Sequence, residues 1–168
     1  MDQARYRQFE KIYDAYAKAI FRFVYFRVSE RSLAEDISHD VFLQFWKSLS
    51  GGEEIKEPRA LLYTIAHGLV VDHYRKKKYR IQVSLDAEKV DGEPALSTDV
   101  LENEAIAKEE FGNVLAKLKT IKQEYQDALL MYYVEGLDVS EMARILRKKE
   151  NAVRVLIHRA LKTLKNKL

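Results

Sequence analysis

The sequence predicts an all-α protein built from two small helical domains. Apolar residues recur every three or four positions over most of the 168-residue chain, the spacing that places them on one face of a helix. Only six glycines and two prolines are present, so few positions would interrupt the helices. The periodicity lapses in an acidic segment at residues 81–105, which we interpret as a flexible linker between domains at 1–80 and 106–168.

Composition narrows the possible functions. There are 29 basic and 26 acidic residues, so the net charge of +3 indicates less than the places where charge is concentrated. Cysteine is absent, which excludes a disulfide framework, a zinc ribbon and a thiol nucleophile. No apolar run approaches the roughly 18 residues of a bilayer-spanning helix, and the N-terminus lacks the apolar core of a signal peptide. We therefore expect a soluble, cytoplasmic protein.

The first two helices are predicted from an aromatic stretch and a cap signal. Residues 6–28 are strongly apolar and predict a helix with a broad buried stripe. The stripe comprises Phe9, Ile12, Tyr13, Tyr16, Ile20, Phe23, Val24 and Phe26. Arg22 and Arg27 lie outside it, so we expect both in solvent. Ser32 and Glu35 have the spacing of a capping box, which predicts that the second helix starts at Ser32.

The second helix carries an acidic row, which we define as Asp36, Asp40 and Gln44. These residues follow one another at i, i+4 spacing and therefore share one helix face. Two like charges stacked in this way destabilise an isolated helix by roughly 0.2–0.5 kcal/mol. The row is explained either by a cationic partner or by simple solvation of its members, and the spacing alone leaves both interpretations open.

The stretch from Pro58 to Arg80 predicts a third helix, with Pro58 in the first turn, where a missing N–H leaves no helical hydrogen bond unmade. Its last seven residues form what we call the basic tail: Tyr74, Arg75, Lys76, Lys77, Lys78, Tyr79 and Arg80. Cations neutralise phosphates and aromatic rings stack on unpaired bases, so this composition suits nucleic acid. A solvated basic helix end is the alternative, since cations are favourable near a helix C-terminus.

The C-terminal domain predicts a helix-turn-helix. Helical periodicity returns near Ile106 and continues to Tyr133, and Gly136 then suits a left-handed helix end. A short helix at 137–146 and a longer one at 150–165 are separated by three residues, the pattern of a helix-turn-helix. Nine basic residues and a single acid lie between residue 144 and the end of the chain, which favours placing the second helix in a DNA major groove.

Four stretches stand in a recognisable order: AEDISHDVFLQFW, EPRALLYTIAHGLVVDHYRKK, YYVEGLDVSEMARIL and NAVRVLIHRALKTLK. In this order they resemble the extracytoplasmic-function (ECF) group of bacterial RNA polymerase sigma factors. With the helical segments between them they cover nearly the whole chain, and the ordered set is far more specific than any one motif. The resemblance implies a sigma region 2 helical bundle at 1–80 and a sigma region 4 helix-turn-helix at 106–168.

The resemblance also implies partners and contact residues. Core RNA polymerase would be bound through its β′ coiled coil and β flap, with the acidic row as the face that docks on the β′ coiled coil. The residues implied to lie near the −10 promoter element are Tyr63, His67, Tyr74, Arg75, Lys76 and Lys77. The residues implied to lie near the −35 element are Lys148, Lys149, Asn151, Ala152, Arg154, Val155, His158 and Arg159. Asp72 would orient Arg75 or a neighbouring helix.

Three further expectations come from the same resemblance. The linker would thread toward the polymerase active centre, where its acids would mimic nucleic acid. An anti-sigma factor is an expected partner and would hold the protein at the inner membrane, whereas the active protein would be associated with the nucleoid. The −35 sequence stays open because the chain departs from the family pattern at two places. Arg147–Lys149 replace Gly, an apolar residue and Ser, and Val155 and Leu156 replace Ser and Arg.

Two other function classes were weighed. An enzyme is disfavoured because His67 and His73 lie at i, i+6, on opposite sides of a helix, and no glycine-rich phosphate loop or Ser/His/Asp arrangement is present. We therefore expect no catalysis, no cofactor or metal and no small-molecule substrate. A stand-alone helix-turn-helix regulator is the alternative to a sigma factor, although it would leave the first 80 residues unexplained.

Overall fold

The computed structural model describes residues 2–83 and 105–168, and all regular secondary structure within those residues is helical. The described residues fall into two compact units, one in each range, so the predicted all-α fold with two helical domains is confirmed. Of the predicted linker, residues 81–83 continue the third helix, and residues 84–104 lie outside the described residues. No helix in the described part of the chain has the length and hydropathy needed to cross a bilayer.

The N-terminal unit consists of three helices: α1 (Gln3–Val28), α2 (Arg31–Ser50) and α3 (Pro58–Val83). Each helix packs on the other two. Ser29 ends α1 in the left-handed conformation (φ 62°), and its backbone N–H donates to the carbonyl of Tyr25 at 2.8 Å. The chain turns at Gly51 and Gly52 after α2, and α3 starts at Pro58 as expected.

The interior of this unit is apolar and aromatic. Its most buried large residues are Ile20, Phe23, Val24, Val41, Phe45, Leu62, Tyr63 and Val70. Two predictions for α1 were wrong. Arg27 is only 3% exposed, because α3 covers the last turn of α1 and the guanidinium lies over the ring of Tyr74, 5.3 Å from its centroid. Tyr13 is 45% exposed, because it lies at the rim of a groove between α1 and α2 rather than in the core.

The predicted capping box at the start of α2 was also wrong. The helix begins at Arg31, with Glu30 in the cap position and no side-chain cap hydrogen bond. Ser32 is therefore inside the first turn, and the carboxylate of Glu35 instead accepts a hydrogen bond from Arg31 Nε at 3.2 Å. A helix that starts one residue early removes the geometry that Ser32 would need as a cap.

The C-terminal unit contains α4 (Ala105–Leu118), α5 (Gln123–Leu129), a π-helical turn (Leu130–Val134), α6 (Val139–Leu146) and α7 (Glu150–Lys165). The single helix expected from 106 to 133 was wrong, because the chain turns at residues 119–122. Ile121 is buried within that turn, so the apolar periodicity continues although the helix does not. The side-chain amide of Gln126 donates to the carbonyl of Ile121 at 2.9 Å and joins the turn to α5.

The helix-turn-helix forms as expected. Gly136 has a φ of 66°, which confirms the left-handed position predicted there. Arg147 ends α6 in the left-handed conformation (φ 54°), and the Lys148 N–H donates to the carbonyl of Ala143 at 3.0 Å. A true capping box starts α6: the Asp138 carboxylate accepts from the Glu141 N–H at 2.7 Å, and the Glu141 carboxylate accepts from the Asp138 N–H at 3.4 Å. The turn and α6 therefore fix where α7 begins.

Replacing Asp138 with alanine should lower the free energy of unfolding of the C-terminal unit by about 0.5–2 kcal/mol, because the first turn of α6 loses its cap. The matched control Ser32→Ala should change the N-terminal unit by less than about 0.5 kcal/mol. Urea unfolding can separate the two units, since Trp46 is the only tryptophan and its fluorescence follows the N-terminal unit, whereas circular dichroism follows both. A larger loss from Ser32→Ala than from Asp138→Ala would contradict this assignment of caps.

Candidate functional site

The acidic row of α2 is fully accessible. Asp36, Asp40 and Gln44 are all exposed, one turn apart, while the opposite side of α2 packs into the core. Arg31 and Glu35, at the start of the same helix, pair with each other at 3.2 Å. A row of two carboxylates and an amide on a rigid helix presents acceptors to a cationic partner, and its accessibility is the geometric requirement for docking.

An apolar groove of about 700 Å³ lies beside the row, between α1 and α2. It is lined by Tyr6, Phe9, Tyr13, Ala17, Phe21, Glu35, Ser38, His39, Phe42, Leu43 and Trp46. The rings contact one another edge to face, with centroids 4.8 Å apart for Tyr13 and Phe42 and 5.3 Å apart for Phe9 and Trp46. Leu43, which is 48% exposed and lines the groove, lies next to the acidic row because it follows Asp40 by three residues on α2. Exposed apolar surface of this kind marks an interaction site.

Sequence reasoning missed this groove. The signal was the i, i+4 spacing of Phe9 and Tyr13 on α1, which we interpreted as core, together with the same spacing of Phe42 and Trp46 on α2. Whether an aromatic stripe closes into a core or leaves a cleft depends on how two helices cross, and one helix alone does not determine this.

The basic tail leaves the bundle at the end of α3. Its residues from Arg75 to Arg80 are all exposed, and Tyr79 is 68% exposed. The Asp72 carboxylate lies 3.1 Å from Lys76 Nζ and pairs with it, whereas we expected Asp72 to orient Arg75 or a neighbouring helix. The tail therefore offers a cationic surface with one aromatic ring free for stacking.

Tyr74 behaves differently from the rest of the tail. It is half-buried, its hydroxyl donates to the backbone carbonyl of Arg27, and the guanidinium of Arg27 covers one face of its ring. The His73 ring contacts it edge to face at 5.4 Å. Partial burial, with smaller contributions from the positive charges of Lys77 and Arg80, lowers the pKa of His73 below its ordinary value. The lowered pKa favours the uncharged form of the His73 imidazole.

Two of the residues expected near the −10 element lie further up α3. Tyr63 is only 1% exposed and packs edge to face on Phe23, with centroids 5.6 Å apart. Its position conflicts with the expected DNA contact, because its spacing from Ala66 and Val70 places it on the buried face of α3. His67 is half-buried on the same helix.

All eight residues expected near the −35 element are exposed. Those on α7 alternate with a buried face formed by Val153, Leu156, Ile157 and Ala160, which packs into the C-terminal unit. Leu156 is therefore largely packed inside the C-terminal unit. The exposed side of α7 combines amide, methyl, imidazole and guanidinium groups, which can both read base edges and contact phosphates.

A second groove, of about 550 Å³, lies between the start of α5 and the start of α7, and we call it the lysine groove. It is lined by Lys122, Glu124, Tyr125, Lys148, Lys149, Asn151, Ala152, Val155, Leu156 and Arg159. Sequence reasoning found the α7 side but missed the α5 side, because α5 lies some 25 residues earlier and no pattern connects the two. Within the described residues, no three His, Cys, Asp or Glu side chains come close enough to hold a metal ion.

Two family profiles match the chain. The profile described as sigma-70 region 2 matches residues 12–80, and the profile described as sigma-70 region 4 matches residues 111–164. The first match contains the acidic row and the basic tail, and the second contains the helix-turn-helix and the lysine groove.

Known proteins are similar over the same span. The ECF RNA polymerase sigma factor BldN of Streptomyces coelicolor is 30% identical over 162 residues, which cover 93% of this chain and 58% of BldN. The ECF RNA polymerase sigma factor SigX of Bacillus subtilis is 24% identical over 158 residues, which cover 94% of this chain and 81% of SigX. This chain thus spans little more than half the length of BldN but most of SigX.

Solved structures share the fold. The sigma factor RpoE of Bartonella quintana, in complex with the anti-sigma factor NepR, superimposes with a TM-score of 0.73 at 19% identity, covering 95% of this chain and 96% of RpoE. CnrH, in complex with the cytosolic domain of CnrY, gives a TM-score of 0.69 at 18% identity, covering 95% and 86%. At such identities the likeness establishes a common fold.

Proposed function

This chain belongs to the ECF group of sigma-70 RNA polymerase sigma factors, and we propose on that basis that it binds core RNA polymerase and directs transcription from specific promoters. The observation that carries the proposal is that each unit presents an exposed basic surface on the helix where the family resemblance requires one: the basic tail of α3 and the outer face of α7. Sigma factors initiate transcription without catalysis of their own, so the proposed activity consists of binding polymerase and promoter DNA.

Polymerase docks on α2 in this proposal. The acidic row supplies carboxylates for cations of the β′ coiled coil, and the apolar groove next to it supplies area that can be removed from water. Both are needed, because exposed ion pairs contribute little by themselves, about 0–1 kcal/mol each. The β flap is the second contact on the polymerase.

The basic tail opens the −10 element. Separating base pairs and extruding bases costs a few kcal/mol for each base, and this must be offset by capture of the opened strand. Phosphate contacts from Arg75, Lys76 and Lys77 supply sequence-neutral affinity, and a ring supplies stacking of about 1–3 kcal/mol per base. Tyr79 is the ring for this role, since Tyr74 is already engaged by Arg27.

The outer face of α7 reads the −35 element. Arg154 follows Asn151 by three residues and His158 follows Arg154 by four, so the three side chains reach base edges from one helix face. Val155 offers only an apolar contact, suited to a thymine methyl group. Lys148 and Lys149 contact phosphates from the turn. Helix-turn-helix domains dock the second helix in the major groove in this way.

An anti-sigma factor completes the proposal. Two proteins that share the fold were solved with a bound partner: RpoE with the anti-sigma factor NepR, and CnrH with the cytosolic domain of CnrY. The apolar groove on α1 and α2 is a surface that such a partner can occupy, and a membrane-bound partner would retain the protein at the inner membrane until release to the nucleoid.

Dependence on core polymerase tests the function directly. Run-off transcription from a promoter library should require both core enzyme and this protein, and gel shifts should show promoter binding that core strengthens greatly. The alternative, a stand-alone helix-turn-helix regulator, would bind its operator tightly without core. Tight binding by the protein alone, with no transcript in the presence of core, would support that alternative and contradict a sigma factor.

Asp40→Arg should weaken binding to core polymerase by about tenfold or more, because it places a cation opposite the cations that the acidic row is proposed to meet. Asp14→Arg is the matched control, since Asp14 is an exposed carboxylate on α1 outside the groove lining. Co-purification with tagged core is the measurement, and Trp46 fluorescence verifies folding. Equal retention of both variants on core would argue against this docking face.

The double variant Lys76→Ala with Lys77→Ala should slow promoter opening by the holoenzyme and reduce its salt dependence, by up to about two units in the log–log slope if each lysine contacts one phosphate. Lys11→Ala with Lys18→Ala removes the same charge from exposed positions of α1 and should leave the slope unchanged. Permanganate footprinting at several salt concentrations measures opening. An unchanged slope in the first variant would refute the phosphate contacts.

A further inference from the structure

The lysine groove contains one acid among its charged lining residues. Glu124 Oε1 lies 3.2 Å from Lys148 Nζ, and the two side chains remain 51% and 39% exposed. Glu124 belongs to the first turn of α5, whereas Lys148 belongs to the turn before α7. The pair therefore joins the two elements that form the walls of the lysine groove. It lies at the rim, where a DNA strand that meets the start of α7 would pass.

Lys122, on the same wall as Glu124, has a weaker partner. Its ammonium lies over the ring of Tyr125, 5.6 Å from the centroid, and Lys122 is exposed. A cation–π contact at an exposed site leaves the ammonium largely hydrated and able to donate to an oxyanion. Of the three lysines that line the groove, Lys148 is thus paired with an acid and Lys122 lies over a ring.

The groove continues onto the reading face of α7. Asn151, Ala152 and Val155 line it together with the lysines, so a DNA strand that meets the first turns of α7 has its backbone beside Lys122 and Lys148. Both ammonium groups can donate to a phosphate oxygen. In the structure, which contains no DNA, the Lys148 ammonium forms an ion pair with the Glu124 carboxylate.

We propose that the lysine groove is a binding site for a DNA backbone phosphate, formed by Lys122 and Lys148, and that Glu124 competes with the phosphate for Lys148. This inference rests on the DNA-binding role of α7 proposed above. Because phosphate contacts position the protein without reading sequence, Glu124 lowers the affinity for every DNA sequence alike. It acts as an internal brake on binding by the sigma factor, built into the edge of its helix-turn-helix.

Glu124→Gln tests this with a gain of affinity. Gln keeps the shape of the side chain and removes its charge, so Lys148 is free to meet phosphate. Binding of the full-length chain to a labelled duplex of about 30 base pairs, followed by fluorescence anisotropy between about 50 and 200 mM salt, should tighten by about two- to fivefold at the lowest salt. The slope of log Kd against log salt should steepen by up to about one unit, since one more cation neutralises a phosphate.

Three further variants separate competition for Lys148 from a general charge effect and test the contribution of Lys122. Glu109→Gln removes one negative charge from an exposed position of α4 outside the groove lining and should leave Kd within about 1.5-fold. In a Lys148→Ala background, Glu124→Gln should lose most of its effect, which a double-mutant cycle detects as coupling. Lys122→Ala should weaken binding and flatten the salt slope by about one unit.

Unchanged or weaker binding by Glu124→Gln, a gain of equal size without Lys148, or no measurable duplex binding by the wild-type chain at the lowest salt would each overturn the groove proposal. The test is independent of the sigma-factor assignment, because it uses DNA without a promoter and no polymerase. If transcription depends on core polymerase but Glu124→Gln leaves DNA affinity unchanged, only the groove proposal is rejected. If Glu124→Gln raises DNA affinity but no core-dependent transcription occurs, the sigma-factor function is rejected and the groove proposal stands.

Discussion

The N-terminal unit depends on the contact between the end of α1 and the middle of α3. Up to Val70, α3 buries residues in the three-helix core, and beyond Tyr74 it is exposed and cationic. The last carbonyls of a helix have no intrahelical donor, and the hydroxyl of Tyr74 donates to one of them, that of Arg27. The Arg27 guanidinium, which is costly to bury alone, covers the ring of the same tyrosine. One side chain thus satisfies the carbonyl, supports a buried cation and sets the point where the basic tail leaves the bundle.

The surfaces proposed to contact DNA share an electrostatic feature. Asp72 pairs with Lys76 in the tail at 3.1 Å, and Glu150 pairs with Arg154 on α7 at 3.5 Å, so each surface holds an acid against one of its cations. The number of cations available for phosphates sets both the non-specific affinity and its salt dependence. By this argument each acid lowers the affinity of its surface for DNA, which suits the proposed dependence of promoter binding on polymerase and agrees with a net charge of only +3.

The sequence was sufficient for most of the fold because helices are encoded locally. Apolar periodicity and the positions of proline and glycine predicted the start of α3, the turn before α7 and the left-handed Gly136. Each of these features depends only on neighbouring residues. The failures share a cause. The turn at 119–122 keeps Ile121 inward, so a 3- to 4-residue apolar spacing persists where the helix has ended. Ser32 matches a capping box by spacing alone, yet the helix starts one residue before it.

The features of the candidate site that could be predicted were likewise those that depend on one helix alone. The exposed face of α7 followed from its own periodicity, since the residues between buried positions must face outward. The buried Arg27, the aromatic groove and the Glu124–Lys148 pair each join elements distant in the chain, and no single-helix pattern contains that information. The same limit decides which ring of the basic tail can stack on a base. Tyr74 and Tyr79 are equivalent in the sequence of the basic tail. In the structure the end of α1 contacts Tyr74, whereas Tyr79 is 68% exposed and is the available ring. The ring proposed to stack on a base therefore lies more than a full turn closer to the C-terminus of α3 than Tyr74, beyond the contact with the end of α1.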